Sequence, residues 1–215
     1  MPALNDSFAV MEKFSVESRV LLWIAWSRVA IRQEALASGA RKCAEELHGK
    51  NENISGALDQ EFEASVVVVT AVANALEALY GGLLSRAPTL TKSDNYRPDW
   101  KKVWLSLDAC FALTAHEQAA TWPDRFEHLF AIRRNAVVHF KEPTQPLGEH
   151  PMGFKTSPEY CDYTKEEAAL NVDLLLGVLT ACGRYPTRSS NLKLYQDEIR
   201  INAIAFLDLR RKLTT

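Results

Sequence analysis

Apolar residues recur along most of this chain at three- and four-residue steps, the spacing that gathers side chains on one face of an α-helix. Val16, Val20, Ile24, Ser27, Ile31 and Ala35 form the first series, with Phe14 and Ser15 placed to start a helix and residues 1–14 left as a flexible N-terminus. The series runs past Gly39 through Cys43 and Leu47 and ends near Gly49. A stronger one follows, in which Leu58, Phe62, Val66, Val69, Ala73, Leu76, Tyr80 and Leu83 share a face, closed by Pro88. The valines from Val66 to Val69 suit a strand taken alone, but the Ala-, Leu- and Glu-rich run around them has helical length and composition.

Residues 87–98 form a polar connector rich in turn formers. Trp100, Val103, Trp104, Leu107 and Phe111 then mark the inner side of a third helix. Thr121-Trp122-Pro123 starts a fourth, since proline is tolerated in a first turn, and Phe126, Leu129, Phe130, Val137 and Phe140 point inward from it. Residues 141–163 carry four prolines and two glycines and read as a long irregular loop within the domain. Thr164 and Glu167 form a capping box that opens a fifth helix ending near Gly183. Tyr195, Ile199, Ala203, Phe206 and Leu213 trace a sixth from about Ser190 to Leu213. The expectation is an all-α, up-and-down bundle of about five to six helices, forming one domain over 1–215.

Composition narrows the function classes. An apolar content of 47% in 215 residues supports a packed core and excludes general disorder. A formal charge of −2 argues against a broad basic grip on nucleic acid, although a local phosphate site remains compatible with it. Cys43, Cys110, Cys161 and Cys182 are scattered without a C-x-x-C pair, which suits reduced thiols; Cys110 and Cys182 fall among apolar helical positions. Met1 to Phe14 lacks the pattern of a secretory signal. The interval between Glu63 and Glu77 is short for a membrane span. A cytoplasmic protein without membrane contact is expected.

One constellation carries chemistry. Near the end of the fourth helix, Arg133, Arg134, Asn135 and His139 bring cation, amide and imidazole together. On a helical wheel, five residues turn by roughly 140°, so Arg134 and His139 bracket a face holding Asn135 and Val138, with His128 near His139. Arg133 instead points into the apolar arc, where a guanidinium needs a carboxylate; Glu77 on the second helix is the candidate partner. A neutral imidazole can take the proton of a ribose 2′-hydroxyl, and a guanidinium can bind the scissile phosphate and stabilise its developing charge. That chemistry needs no metal or other cofactor, and no convincing metal site stands in the sequence. His128 and His139 lie about three turns apart, roughly 16 Å, too far to share an ion.

Arg134-Asn135-Ala136-Val137-Val138-His139 resembles the Arg-x4–6-His signature of the HEPN superfamily, whose all-helical members include metal-independent RNA-cleaving toxins and phage-defence proteins. The resemblance covers the motif and, loosely, helices two to five. It implies that Arg134 and His139 are catalytic and Asn135 supporting, in a composite site at the cleft of a homodimer that acts on RNA and answers to a neutralising protein partner. Arg133 to His139 also satisfies the spacing; the wheel and the Arg-Asn pair favour Arg134. Arg133, Glu77 and Lys141 are supporting binding candidates. Two alternatives stay open: a non-catalytic HEPN-like module that binds RNA, a nucleotide or a protein, and an unrelated helical scaffold in which the motif is accidental.

The remaining features favour packing. Trp23, Trp26, Trp100, Trp104 and Trp122 sit beside aliphatic residues at helical spacing, as core positions do. Gly81-Gly82 lies inside a helix, where close approach of a neighbour explains it. Arg184, Arg188, Lys193, Arg210, Arg211 and Lys212 read as solvated helix ends that could extend a phosphate track.

Overall fold

Two long helices make the spine, α1 (Leu4–Gly49) and α2 (Ser55–Arg86). The computed structural model describes residues 4–91, 99–138, 146–185 and 187–214, with side chains undescribed at 4–21 and 135–138. α1 starts at Leu4 rather than near Phe14, so most of the expected flexible N-terminus is helical. No proline or glycine lies between Leu4 and Ser38 to stop it. Val16 and Val20 fall among the undescribed side chains.

The α1–α2 pair follows a seven-residue rhythm. Trp23, Ser27, Ala30, Glu34, Ala37, Arg41 and Ala44 are all buried, at alternating steps of four and three. So are Leu58, Glu61, Ser65, Val68, Val72, Ala75, Leu79 and Gly82. This repeat is that of a coiled-coil seam, and its small residues let the two backbones approach closely. The short connection after Gly49 folds α2 back on α1, with Asn51 at φ 56 in the left-handed region that ends helices.

α2 is the central helix, packed on α1, α3 (Asp99–Phe111), α4 (Trp122–Val138) and α6 (Lys165–Arg184). Valine costs a helix up to about 0.7 kcal/mol relative to alanine. Burying each side chain returns about 1.5–3 kcal/mol, and Val68, Val69 and Val72 are fully buried, so helix prevails over strand. By length and composition α2 is apolar enough to cross a membrane, with mean hydropathy 1.7 in its best window. In this fold 56% of that window is buried, packed against the four helices around it, while Val67 is exposed.

The rest completes an all-α bundle. α3 buries Val103, Trp104, Leu107 and Phe111, and α4 buries Phe126, Leu129 and Ile132. α7 (Lys193–Thr214) packs on α1 and α6 through Tyr195, Ile199, Ala203 and Phe206, while Leu213 is exposed. Gly82 explains one close approach: a Cβ there would run into the Tyr195 hydroxyl and ring. Gly183 explains another, since its Cβ would lie 2.9 Å from Arg200 Cα. Cys110 and Cys182 are buried, as are Trp23, Trp104 and Trp122.

The stretch expected to be irregular is ordered in its second half. Gly148–Glu149 (β1) pairs antiparallel with Lys155–Thr156 (β2), and Pro158–Asp162 forms one turn of helix, α5. Met152, Phe154 and Tyr160 pack on Ala44, Ala57 and Leu58, at the closed end of the α1–α2 hairpin. Residues 139–145 lie outside the described part.

Candidate functional site

α4 places the candidate residues through its amphipathic face. With Phe126, Leu129 and Ile132 locked in the core, Arg133 and Arg134 emerge at the rim of the buried arc and beyond it. Arg133 Nη1 lies 2.8 Å from Glu77 Oε1, the ion pair expected from the wheel. Its guanidinium also stands 6.0 Å from the Phe130 ring centroid. The pair is half-buried rather than buried, with Arg133 at 27% exposure. Arg134 is exposed and has no ion-pair partner among the described residues. Asn135 lies within α4 but its side chain is undescribed, and His139 and Lys141 fall outside the described residues.

The last turns of α4 are tied to the segment that follows the hairpin. Tyr163 is buried and its hydroxyl donates to the Ile132 carbonyl at 2.6 Å, one residue before Arg133. Its ring meets Phe62 edge-on at 5.7 Å. Thr164 then caps α6, its Oγ1 accepting from Glu167 N at 3.3 Å. The Glu167 side chain turns away from the reciprocal half of a capping box. Its Oε1 sits 3.3 Å from Arg125 Nη2, 3.2 Å from His128 Nε2 and 2.9 Å from Asn171 Nδ2. His128, expected on the motif face beside His139, is therefore held against α6.

Among the described residues the densest ionic cluster is elsewhere, and the sequence reading passed it over. Arg41, at 2% exposure, donates from Nε and Nη2 to both oxygens of buried Glu61, at 2.8 and 2.6 Å. It also donates from Nη1 and Nη2 to Glu166, at 3.0 and 3.2 Å. Glu61 Oε1 accepts the Lys165 amide at 2.8 Å, so the cluster fixes the start of α6. Burial opposes the charge on Arg41, but Glu61 and then Glu166 outweigh it and hold its pKa above the ordinary value. His150 on the hairpin is buried beside these groups; burial first, and then Arg41, push its pKa below the ordinary 6.5 against the pull of Glu61 and Glu166. A second cluster joins α1, α6 and α7: Arg210 donates to buried Glu34 at 2.9 Å and to Asp173 at 2.5 Å. Arg210 is thus a structural cation and not a solvated helix end. A signal for both clusters was present, because Glu34, Arg41 and Glu61 occupy seam positions where the heptad calls for small or apolar residues.

Among the described residues no group of three or more His, Cys, Asp or Glu side chains could hold a metal ion. Comparison with protein-family models, curated proteins and solved structures gives no match. The class these observations define is an all-α helical bundle in which Arg133, Arg134 and Asn135 lie in the last turns of α4.

Proposed function

We propose that this chain is a HEPN-like, metal-independent endoribonuclease of the toxin or phage-defence type, with Arg134 and His139 of two protomers facing one cleft. The observation that carries the reading is the division between the adjacent arginines. Arg133 is neutralised by Glu77, whereas Arg134 is exposed with no ion-pair partner among the described residues and available to a phosphate. His139 takes the proton of a ribose 2′-hydroxyl as its oxygen attacks phosphorus. The bond to the 5′-oxygen breaks, and that oxygen receives a proton as it departs. Arg134 stabilises the charge on the non-bridging oxygens, and Asn135 orients the phosphate or the imidazole.

The test is cleavage of a mixed RNA in excess EDTA by the wild type, His139→Ala, Arg134→Ala and Arg133→Ala. The wild type should leave 2′,3′-cyclic phosphate ends. Loss of the general base is expected to cost on the order of 10²–10⁴ in rate, and loss of the charge stabiliser about 10²–10³, with Arg133→Ala far milder. Equal, negligible cutting by all four at high concentration would transfer the assignment to a non-catalytic module that binds RNA or a protein.

A further inference from the structure

α7 has a face that the bundle does not use. Behind Tyr195, Ile199 and Phe206, which enter the core, Ile201, Ile204 and Leu207 stand 64%, 59% and 40% exposed. Beside them runs a groove of about 200 Å³ between α6 and α7, lined by Thr180, Gly183, Arg184, Arg200, Ala203, Ile204 and Leu207, its exposed lining nearly all carbon. At Gly183 the two helices cross closely, a Cβ there lying 2.9 Å from Arg200 Cα.

The charges around this stripe are ordered about Ile204. Three positions away on either side stand Ile201 and Leu207. Four positions away stand Arg200 and Asp208, and seven positions away Asp197 and Arg211. All six project within about 60° of Ile204 on the helical wheel. Reversing the direction of the helix therefore exchanges each cation for an anion and each apolar residue for another. Within the helix Asp197 pairs with Lys193 at 3.6 Å and with Arg200 at 3.1 Å, and Asp208 pairs with Arg211 at 3.2 Å. Such pairs hold weakly.

A two-fold interface demands this kind of self-complementarity, because each position meets its counterpart from the opposite side of the axis. A different partner would impose no relation between the two halves of the helix. We propose that α7 is a homodimerisation helix, two copies of the chain packing antiparallel with their α7 helices crossing at Ile204. Arg200 then faces Asp208 of the second copy, Asp197 faces Arg211, and Ile201 enters the groove beside Leu207. α7 packs on α1 and α6 while α4 packs chiefly on α2 and α3, so this contact leaves the α4 site open. It is separate from the cleft proposed for cleavage and stands without it.

The test uses the full chain with Cys43→Ser, which removes an exposed thiol. Ile204→Cys lies on the axis and should form a disulfide-linked dimer under a mild oxidant. Leu194→Cys, more exposed on the same helix but off the axis, should remain uncross-linked. In light scattering, Ile204→Glu should halve the assembled mass. Arg200→Asp should weaken association at least about 10-fold, and Arg200→Asp with Asp208→Arg should restore it. A wild type that is monomeric throughout, Leu194→Cys linking as fully as Ile204→Cys, or a mass indifferent to Ile204→Glu would each overturn the proposal. Cross-linking without any RNA cleavage would uphold it and count only against the nuclease reading.

Discussion

Arg41 and Arg134 are the same side chain in opposite circumstances. Arg41 is enclosed where α1, α2 and α6 meet, and four of its five N–H donors go to two carboxylates. Arg134 stands exposed at the end of α4 with no ion-pair partner among the described residues. Between them, Arg133 is half-buried and held by one carboxylate at 2.8 Å. The comparison teaches that a guanidinium's environment separates scaffold from chemistry: the saturated cation organises the fold, and the unsatisfied one can meet a ligand. The two are also mechanically related. Glu61 holds the start of α6 through the Lys165 amide, and two residues earlier Tyr163 holds α4 at the Ile132 carbonyl.

Breaking the Arg41 site should have the largest effect. Arg41→Met leaves the buried Glu61 carboxylate without its cation, and removing one partner of a buried pair costs about 3–5 kcal/mol. Urea denaturation should show that loss, and Arg41→Met with Glu61→Leu should recover most of it, since an apolar pair of similar volume often matches a buried ion pair. A double variant as unstable as the single one would mean that the cluster does not act as a buried pair.

Much of this fold is legible from local periodicity, while little of the ionic organisation is. The three-four spacing marks α2, α3, α4 and α7 because burial of one face is a local property of the sequence. The Thr164 cap is legible for the same reason, its partner lying three residues away. Arg133 and Glu77 could be paired in advance because each wheel fixes its own apolar arc. Arg41 and Glu166 are 125 residues apart, and nothing local selects that partner. The hairpin at 148–156 has two-residue strands, too short for alternation to show, inside a run whose prolines signal irregular chain. The buried His150 belongs to that hairpin and so stayed invisible. Of the candidate site, the sequence places residue types and spacing on α4; the described structure adds the Glu77 tether and the Tyr163 anchor.

Removing that anchor is the next test in size. Tyr163→Phe deletes the hydroxyl that donates to Ile132 O at 2.6 Å, and should cost about 1 kcal/mol in global stability. If Tyr163 positions the end of α4, the variant should also lower RNA cleavage while Arg134 and His139 remain in place. Unchanged cleavage would confine Tyr163 to packing.

A local effect comes from His150. Its ring stacks on Phe154 at 4.7 Å, and its Nδ1 accepts the Met152 amide at 3.3 Å, so that nitrogen must be unprotonated. Burial and then Arg41 lower its pKa, so the unfolded hairpin holds the proton more tightly than the folded one. The sign follows from linkage: this stability is fully present above the unfolded value of 6.5 and is lost as pH falls through the lowered folded value. Hydrogen exchange of the 148–156 amides, corrected for intrinsic rates, should reveal opening between about pH 7.5 and about pH 5. His150→Phe keeps an aromatic stack and should flatten the profile. A pH dependence that survives this substitution would assign the opening to another group.

The smallest effects are those that most sharpen the contrast between the two adjacent arginines. The Arg133–Glu77 pair is partly exposed, so Arg133→Met should destabilise by only about 0.2–1 kcal/mol. Arg134→Ala removes an exposed side chain and should stay within about 0.5 kcal/mol of the wild type. Activity should rank them the other way, Arg134→Ala losing RNA cleavage at nearly unchanged stability and Arg133→Met keeping most of it. Glu77→Gln probes the division directly. If Glu77 serves to neutralise Arg133, its loss leaves a second cation beside Arg134, which should tighten RNA binding and steepen its salt dependence. If instead Arg133→Met abolishes cleavage and Arg134→Ala does not, the exposed arginine is the bystander, and the ion pair with Glu77 is a resting state that a phosphate must displace.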